Sequence, residues 1–472
     1  MLKNSVCSSF LCLTLTFALS NCASPSGRSG SPLFDKITTT NLRSGSVEAP
    51  DGSVLPLKWR GRDGIQLADF DEAISANILD EEDFPGWVTQ MGIGEAGFLY
   101  RARLSGDSDV SELGTALPVT LVLKGGQINV CDVLEDDRFE GLQLAANFTA
   151  PLAYLRQQGN LHLPVIKAML RGGDYLEETG LYRFEPFDPN RIPVIFVHGL
   201  KSSPSIWKVM VNELRRDPKI RKQYQFWSFS YPTGLPILYS AKLLRDDLNT
   251  LQATFNPQEN LPTWRNMVLV GHSMGGLVAR LQVTDSGTAF WDSSPPGRAG
   301  LKLDDIPSKI ARDSLVFTPL PYVSRVVFMA TPHGGSEVAV STLGRITSKL
   351  IQIPSNLTQV VTTLVTINQS LTPELVEIPT SIDSLKPDSP FIQTLKTLPV
   401  TSRVPYHSII ASGGPENTTP EIMNDGLVTY ASASLPGARS EKIVACDHRA
   451  PNYPDAVTEV ARILREHLKS QR

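Results

Sequence analysis

Two textures of hydrophobic patterning divide the chain near Pro186. From Arg191 onward, short apolar and β-branched runs recur at Val194–Val197, Tyr224–Phe229, Met267–Val270, Val326–Ala330, Tyr406–Ala411 and Ile443–Ala445, with amphipathic stretches between them. Near-continuous apolar strands alternating with helices predict an α/β architecture, a mostly parallel sheet buried on both faces. The last helix, Pro454 to Lys469, sets Val457, Val460, Ala461, Leu464 and Leu468 on one side. Glu459, Arg462, Arg465 and Glu466 fall largely on the other, as expected of a helix lying on a sheet. Two stretches break the alternation, about 283–322 and 337–403. Helical patterns at Leu343–Ile353 and Leu357–Ile367 lie in the second, and insertions of this length predict lids or binding loops.

Before Pro186 the pattern is irregular. Strand-like pieces at Phe98–Leu104, Val119–Lys124 and Ile128–Val133 are separated by Gly, Asp and Ser turns. A helix is expected over Leu142–Gln158, with a break or kink at Pro151. Residues 33–185 therefore read as an accessory α+β or β-rich domain, and 186–472 as the larger α/β domain.

Composition narrows the function classes. With 41% hydrophobic residues the chain has material for a large core, which excludes a mainly disordered protein. Lys plus Arg number 44 against 48 Asp plus Glu, and no basic run stands out, so nucleic acid is not an expected partner. The 34 Gly and 35 Pro predict many turns and argue against a helical bundle.

The first residues read as an address. Lys3 precedes a short apolar run ending at Leu19, the pattern of a secretory signal over 1–21. Leu19-Ser20-Asn21-Cys22-Ala23 resembles a bacterial lipobox, with Asn21 departing from the usual small residue. On that resemblance Cys22 becomes the lipidated first residue of an exported, membrane-anchored bacterial lipoprotein facing the periplasm or cell exterior. The Ser-, Gly- and Pro-rich residues 22–32 would then be its flexible tether. The plainer alternative is ordinary signal cleavage with Cys22 incidental. Cys131 and Cys446 sit in apolar runs as buried small residues. No CxxC or HxxxH pair calls for a zinc ion, and no cofactor is expected.

Chemistry concentrates at Gly271-His272-Ser273-Met274-Gly275-Gly276. This GxSxG follows an apolar strand, Asn266–Val270, and precedes a helical stretch, Leu277–Val283. A sharp strand-to-helix turn needs small neighbours around its Ser, lifts the hydroxyl clear of the sheet, and places a helix N-terminus beside a developing anion.

In such folds the triad runs in the order Ser, Asp, His. Of seven histidines, His162, His198 and His272 precede Ser273. No acid motif lies between Ser273 and His333. His407 lies inside a strand, and His467 falls on the polar end of the last helix, where a solvated residue is expected. His448 remains, in a loop after the last strand. The candidate acids are Asp383, Asp388, Asp425 and Asp447.

From about Leu181 to Arg472 the chain resembles the α/β-hydrolase lipases and esterases, and among them the bacterial GPI inositol-deacylase-like branch. The resemblance rests on five motifs in order: Ile195-Phe196-Val197-His198-Gly199-Leu200, GHSMGG, Met329-Ala330-Thr331-Pro332-His333-Gly334-Gly335-Ser336, Asn424-Asp425-Gly426-Leu427-Val428, and Asp447-His448. It implies Asp425 as the triad acid, 23 residues before His448, and the backbone N–H groups of Leu200 and Met274 as an oxyanion hole. The chemistry expected is that of a serine carboxylic-ester hydrolase, esterase- or lipase-like, acting through an acyl-enzyme on a lipid or other acyl ester. Trp207, Phe290 and Trp291 are candidates to line an acyl pocket. Amidase, thioesterase or acyltransferase action would use the same triad, and a non-catalytic lipid- or partner-binding lipoprotein is the rival outside enzymes.

Overall fold

The computed structural model describes residues 33–49, 51–79, 86–102, 114–158, 165–293, 308–341, 351–352, 354, 358, 378–414 and 419–471. The expected signal, Cys22 and the tether lie outside these, as do nearly all of the helical stretches expected at 343–353 and 357–367. Contacts divide the described residues into one unit reaching Leu155 and a second from Arg156 onward.

The first unit is built on a six-stranded sheet. Its strands are β1 (Ser46–Glu48), β2 (Val54–Arg60), β3 (Glu72–Ser75), β4 (Glu95–Arg101), β5 (Thr115–Lys124) and β6 (Gln127–Asp132). They lie in the order β1-β2-β6-β5-β4-β3, antiparallel except for the parallel pair β2–β6. Leu99, Leu117, Val119, Leu121, Ile128 and Val130 are fully buried in its core. The helix expected over 142–158 forms only at Ala150–Gln158, after short strands at Leu142–Gln143 and Ala146–Asn147. The Asn147 amide oxygen explains the late start, accepting from the backbone N–H of Thr149 at 3.0 Å and Ala150 at 2.9 Å. Pro151 then falls in the first turn, where its missing N–H costs nothing, and kinks no helix.

The second unit carries seven strands: β7 (Gly180–Arg183), β8 (Ile192–Val197), β9 (Tyr224–Ser230), β10 (Met267–His272), β11 (Val323–Met329), β12 (Tyr406–Ala411) and β13 (Ser440–Val444). Their order is β7-β9-β8-β10-β11-β12-β13, all parallel except the antiparallel edge strand β7. The flanking helices include α1 (Lys208–Arg216), α2 (Ile237–Phe255), α3 (Met274–Arg280) and α4 (Pro454–Lys469). Side chains of a strand alternate between faces, so Ile195 and Val197 join Leu244, Leu248, Leu277 and Val278 in one core. Phe196 points the other way and packs on Trp207, with ring centroids 4.9 Å apart. This is the α/β-hydrolase fold.

The expected division at 186 falls inside this unit, because β7 pairs with β9 from Gly180 to Arg183. Four residues of GLYR are too few to show a strand period, so the edge strand has no signature in the sequence. Described parts of both expected insertions are packed into the core. Phe290 stacks on Phe317 and on Phe391, at centroid distances of 6.1 and 5.8 Å, and all three rings are buried. The Thr401 N–H donates to the Val283 carbonyl at 2.8 Å, tying the two segments together at their bases.

Leu269 lies at the centre of β10 with no solvent exposure. Leu269→Ala is expected to cost about 2–5 kcal/mol, read as a lowered urea midpoint for the unfolding of this unit.

Candidate active site

Strand β10 ends at His272 and α3 begins at Met274, so one residue turns the chain. That residue, Ser273, holds φ 54° and ψ −129°, a conformation that L residues rarely adopt. Its N–H donates to the Met329 carbonyl at 2.9 Å, tying the turn to β11. Neighbouring glycines make the turn sterically feasible. A Cβ on Gly271 would lie 2.6 Å from the Gly275 carbonyl oxygen. One on Gly275 would collide with the carbonyl oxygens of Val197 and His198, and one on Gly276 with the Thr331 side chain.

His448 lies in the loop between β13 and α4. Its Nε2 is 2.8 Å from the Ser273 hydroxyl and its Nδ1 is 2.7 Å from an Asp425 carboxylate oxygen. Asp425 stands after β12, with its side chain almost wholly buried. Its second oxygen accepts from the backbone N–H groups of Leu427 at 2.9 Å and Val428 at 2.7 Å. Three donors thus compensate the buried charge and hold the carboxylate plane against the imidazole.

Of the expected oxyanion donors, Met274 is the first residue of α3, where an N–H has no partner within its helix. Leu200 follows Gly199, which lies against the serine: a Cβ there would be 2.8 Å from Ser273 Cβ and 3.3 Å from its Oγ. The loop is held from behind by two residues whose role the sequence did not reveal. The Tyr231 hydroxyl donates to the His198 carbonyl at 2.7 Å, and the Thr233 hydroxyl accepts from the Lys201 N–H at 3.2 Å. Both follow β9 in a Tyr-Pro-Thr-Gly stretch without a motif of its own.

The remaining candidates are placed elsewhere. Asp383 sits inside the short helix Ser381–Ser384 with its carboxylate accepting from the N-cap Thr380, Asp388 is exposed, and Asp447 pairs with Arg449 at 2.7 Å. His407 lies 2.8 Å from an Arg325 nitrogen inside the sheet. His333 is buried beside Arg280, with 3.4 Å between nitrogens. His467, expected in solvent, is buried, with one ring nitrogen 2.8 Å from the Tyr224 hydroxyl and the other 2.9 Å from the Ser324 hydroxyl. Its correction comes from strands far away in sequence that face the end of α4. Trp207 and Phe290, expected to line a pocket, are core residues. Cys131 and Cys446 are buried free thiols, pushed by burial up to about 11 and about 12. Among the described residues no group of three His, Cys, Asp or Glu could hold a metal ion, and no helix is long and apolar enough to cross a membrane.

Burial lowers the buried histidines far below their usual range, to about 4 for His198 and His407 and about 3 for His272 and His467. The unfolded chain takes up these protons near pH ~6.5, whereas the folded chain stays neutral until pH is far lower. Stability from these groups is therefore complete above that value and lost as pH falls below it, by on the order of 1 kcal/mol per pH unit for each histidine. Urea midpoints measured from pH 7 to 5 are expected to fall steeply.

Residues 188–293, which include β8, the Gly199 loop and the Ser273 turn, match the PGAP1-like alpha/beta domain family. GPI inositol-deacylase B of Yarrowia lipolytica (strain CLIB 122 / E 150) is 30% identical over 117 residues, 21% of this chain and 12% of that protein, so the chain spans about an eighth of that relative. Among solved structures, the mature Bacillus licheniformis lipase BlEst2 aligns with a TM-score of 0.35 and 18% identity, over 60% of this chain and 97% of that one. The metagenomic carboxyl esterase MGS0156 aligns with a TM-score of 0.34 and 18% identity, over 61% and 83%. The order of the seven strands gives the second unit the α/β-hydrolase fold, and the segment around the turn is similar to the PGAP1-like alpha/beta domain family.

Proposed function

We propose that the chain is a serine carboxylic-ester hydrolase, acting on an acyl ester of lipid type through an acyl-enzyme. The observation that carries this reading is the unbroken hydrogen-bonded row from Ser273 through His448 to Asp425. A Ser hydroxyl is a weak nucleophile at neutral pH, so His448 Nε2 takes its proton as Oγ attacks the ester carbonyl. Asp425 holds the proton on Nδ1, fixes the ring and stabilises the imidazolium. The oxyanion is received by the N–H groups of Met274 and Leu200, each worth on the order of 3 kcal/mol. The imidazolium then protonates the leaving alkoxide, and water attacks the acyl-enzyme by the same steps reversed. The matched deacylase relative supports an ester as substrate.

The test is an assay of the chain lacking residues 1–22 on p-nitrophenyl esters from acetate to palmitate. Ser273→Ala, His448→Ala and Asp425→Asn are each expected to lower kcat by about 10⁴-fold or more, with folding intact. An ester-inert parent whose Ser273 still reacts with a phosphonate would move the substrate to an amide or thioester. Absence of both activities would sink the enzyme reading.

We further propose export and membrane anchoring through acylated Cys22, on the strength of the sequence Leu19-Ser20-Asn21-Cys22. Several acyl chains at one residue give stable anchoring where a single chain does not. Labelled palmitate should enter the full chain in a bacterial host, and Cys22→Ser should abolish it. Equal labelling of the variant would contradict the anchor.

A further inference from the structure

We infer that His272 is a positioning residue for the catalytic histidine, a ruler that ties the backbone of His448 to the residue preceding the nucleophile. The inference rests on the reading of Ser273 and His448 as nucleophile and base.

His272 closes β10 and is joined to Ser273 by one peptide bond. Its Nε2 lies 2.7 Å from the carbonyl oxygen of His448. A carbonyl only accepts, so Nε2 carries the proton. The Nδ1 atom has no hydrogen-bond partner among the described residues, and the ring stands edge-on to Trp207, 87° between planes and 6.3 Å between centroids. Burial keeps the imidazole neutral, which leaves Nε2–H with a bare Nδ1 as the tautomer that fits.

His448 itself lies outside any helix or strand, and its backbone is held on both sides. Its N–H donates to the Asp425 carbonyl at 3.1 Å, while its own carbonyl accepts from His272. Acid, base and nucleophile are therefore linked twice, once through their side chains and once through this second row. The choice of residue fits the task. A buried imidazole with an unpaired nitrogen is less favourable than a phenyl ring of similar shape, so packing alone does not explain a histidine here. What the ring supplies is one donor at a fixed distance from the backbone of Ser273.

The test compares His272→Phe, which fills the space without a donor, with His272→Gln, whose amide nitrogen reaches toward the same carbonyl. With the parent active on an ester, His272→Phe is expected to lower kcat roughly 10²-fold with KM within about twofold, the loss typical of a catalytic group displaced by about 1 Å. His272→Gln should restore most of kcat. Parental kcat in His272→Phe would overturn the inference and leave the esterase reading intact, and so would equal losses in both variants. An inert parent that no phosphonate labels would refute the esterase reading itself. Nitrogen-15 NMR of the imidazoles then decides this inference. A protonated Nε2 on His272 and His448 ring resonances disturbed in the Phe but not the Gln variant would sustain it. An unprotonated Nε2, or undisturbed resonances, would overturn it.

Discussion

At the end of strand Met267–His272 two backbones approach so closely that no side chain fits between them. The carbonyl oxygens of Val197 and His198 occupy the place where a Cβ of Gly275 would stand. That contact brings the start of helix Met274–Arg280 against the neighbouring strand and leaves Ser273 to make the whole turn in one residue, at a positive φ. The strain is held by the seven-stranded sheet on one side and the helix on the other. In exchange the hydroxyl stands clear of the sheet, at the head of a helix and against Gly199. Every other member of the site is arranged around that fixed point.

The charge in the site follows a similar logic. Asp425 keeps a buried carboxylate because backbone N–H groups and an imidazole saturate it. Across the second unit the protein uses neutral histidines as hydrogen-bonding struts. His467 bridges Tyr224 and Ser324, His407 stands between Arg325 and the Ser440 hydroxyl, and His272 reaches the backbone of His448. Such groups join a strand to a neighbouring strand, to the last helix or to a loop without a formal charge, provided the pH stays above the range in which the unfolded chain protonates.

The parallel sheet was legible because its strands are apolar on both faces, a run that amphipathic helices separate cleanly. Ser273 and His448 were legible from a strand–Gly–helix signature and from the scarcity of histidine. The geometry brings them together with Asp425, whose role in the sequence rests on resemblance alone. Other features depend on contacts that no local pattern records. His467 reads as solvated until Tyr224 and Ser324 are brought to it. Residues 142–149 have helical composition, yet Asn147 caps the helix late. The edge strand Gly180–Arg183 is too short to announce itself, and Phe290 reads as a pocket wall although it packs on Phe317 and Phe391, distant in sequence.

The central claim is that Ser273 accepts an acyl group from an ester with His448 as its base. The most direct measurement is intact-protein mass spectrometry of samples quenched in the first turnover of a p-nitrophenyl ester, followed by peptide mapping. One acyl group per chain on the Ser273 peptide, absent from His448→Ala, is the expected result. Ester turnover with no acylated peptide, or with the acyl group on another residue, would contradict it.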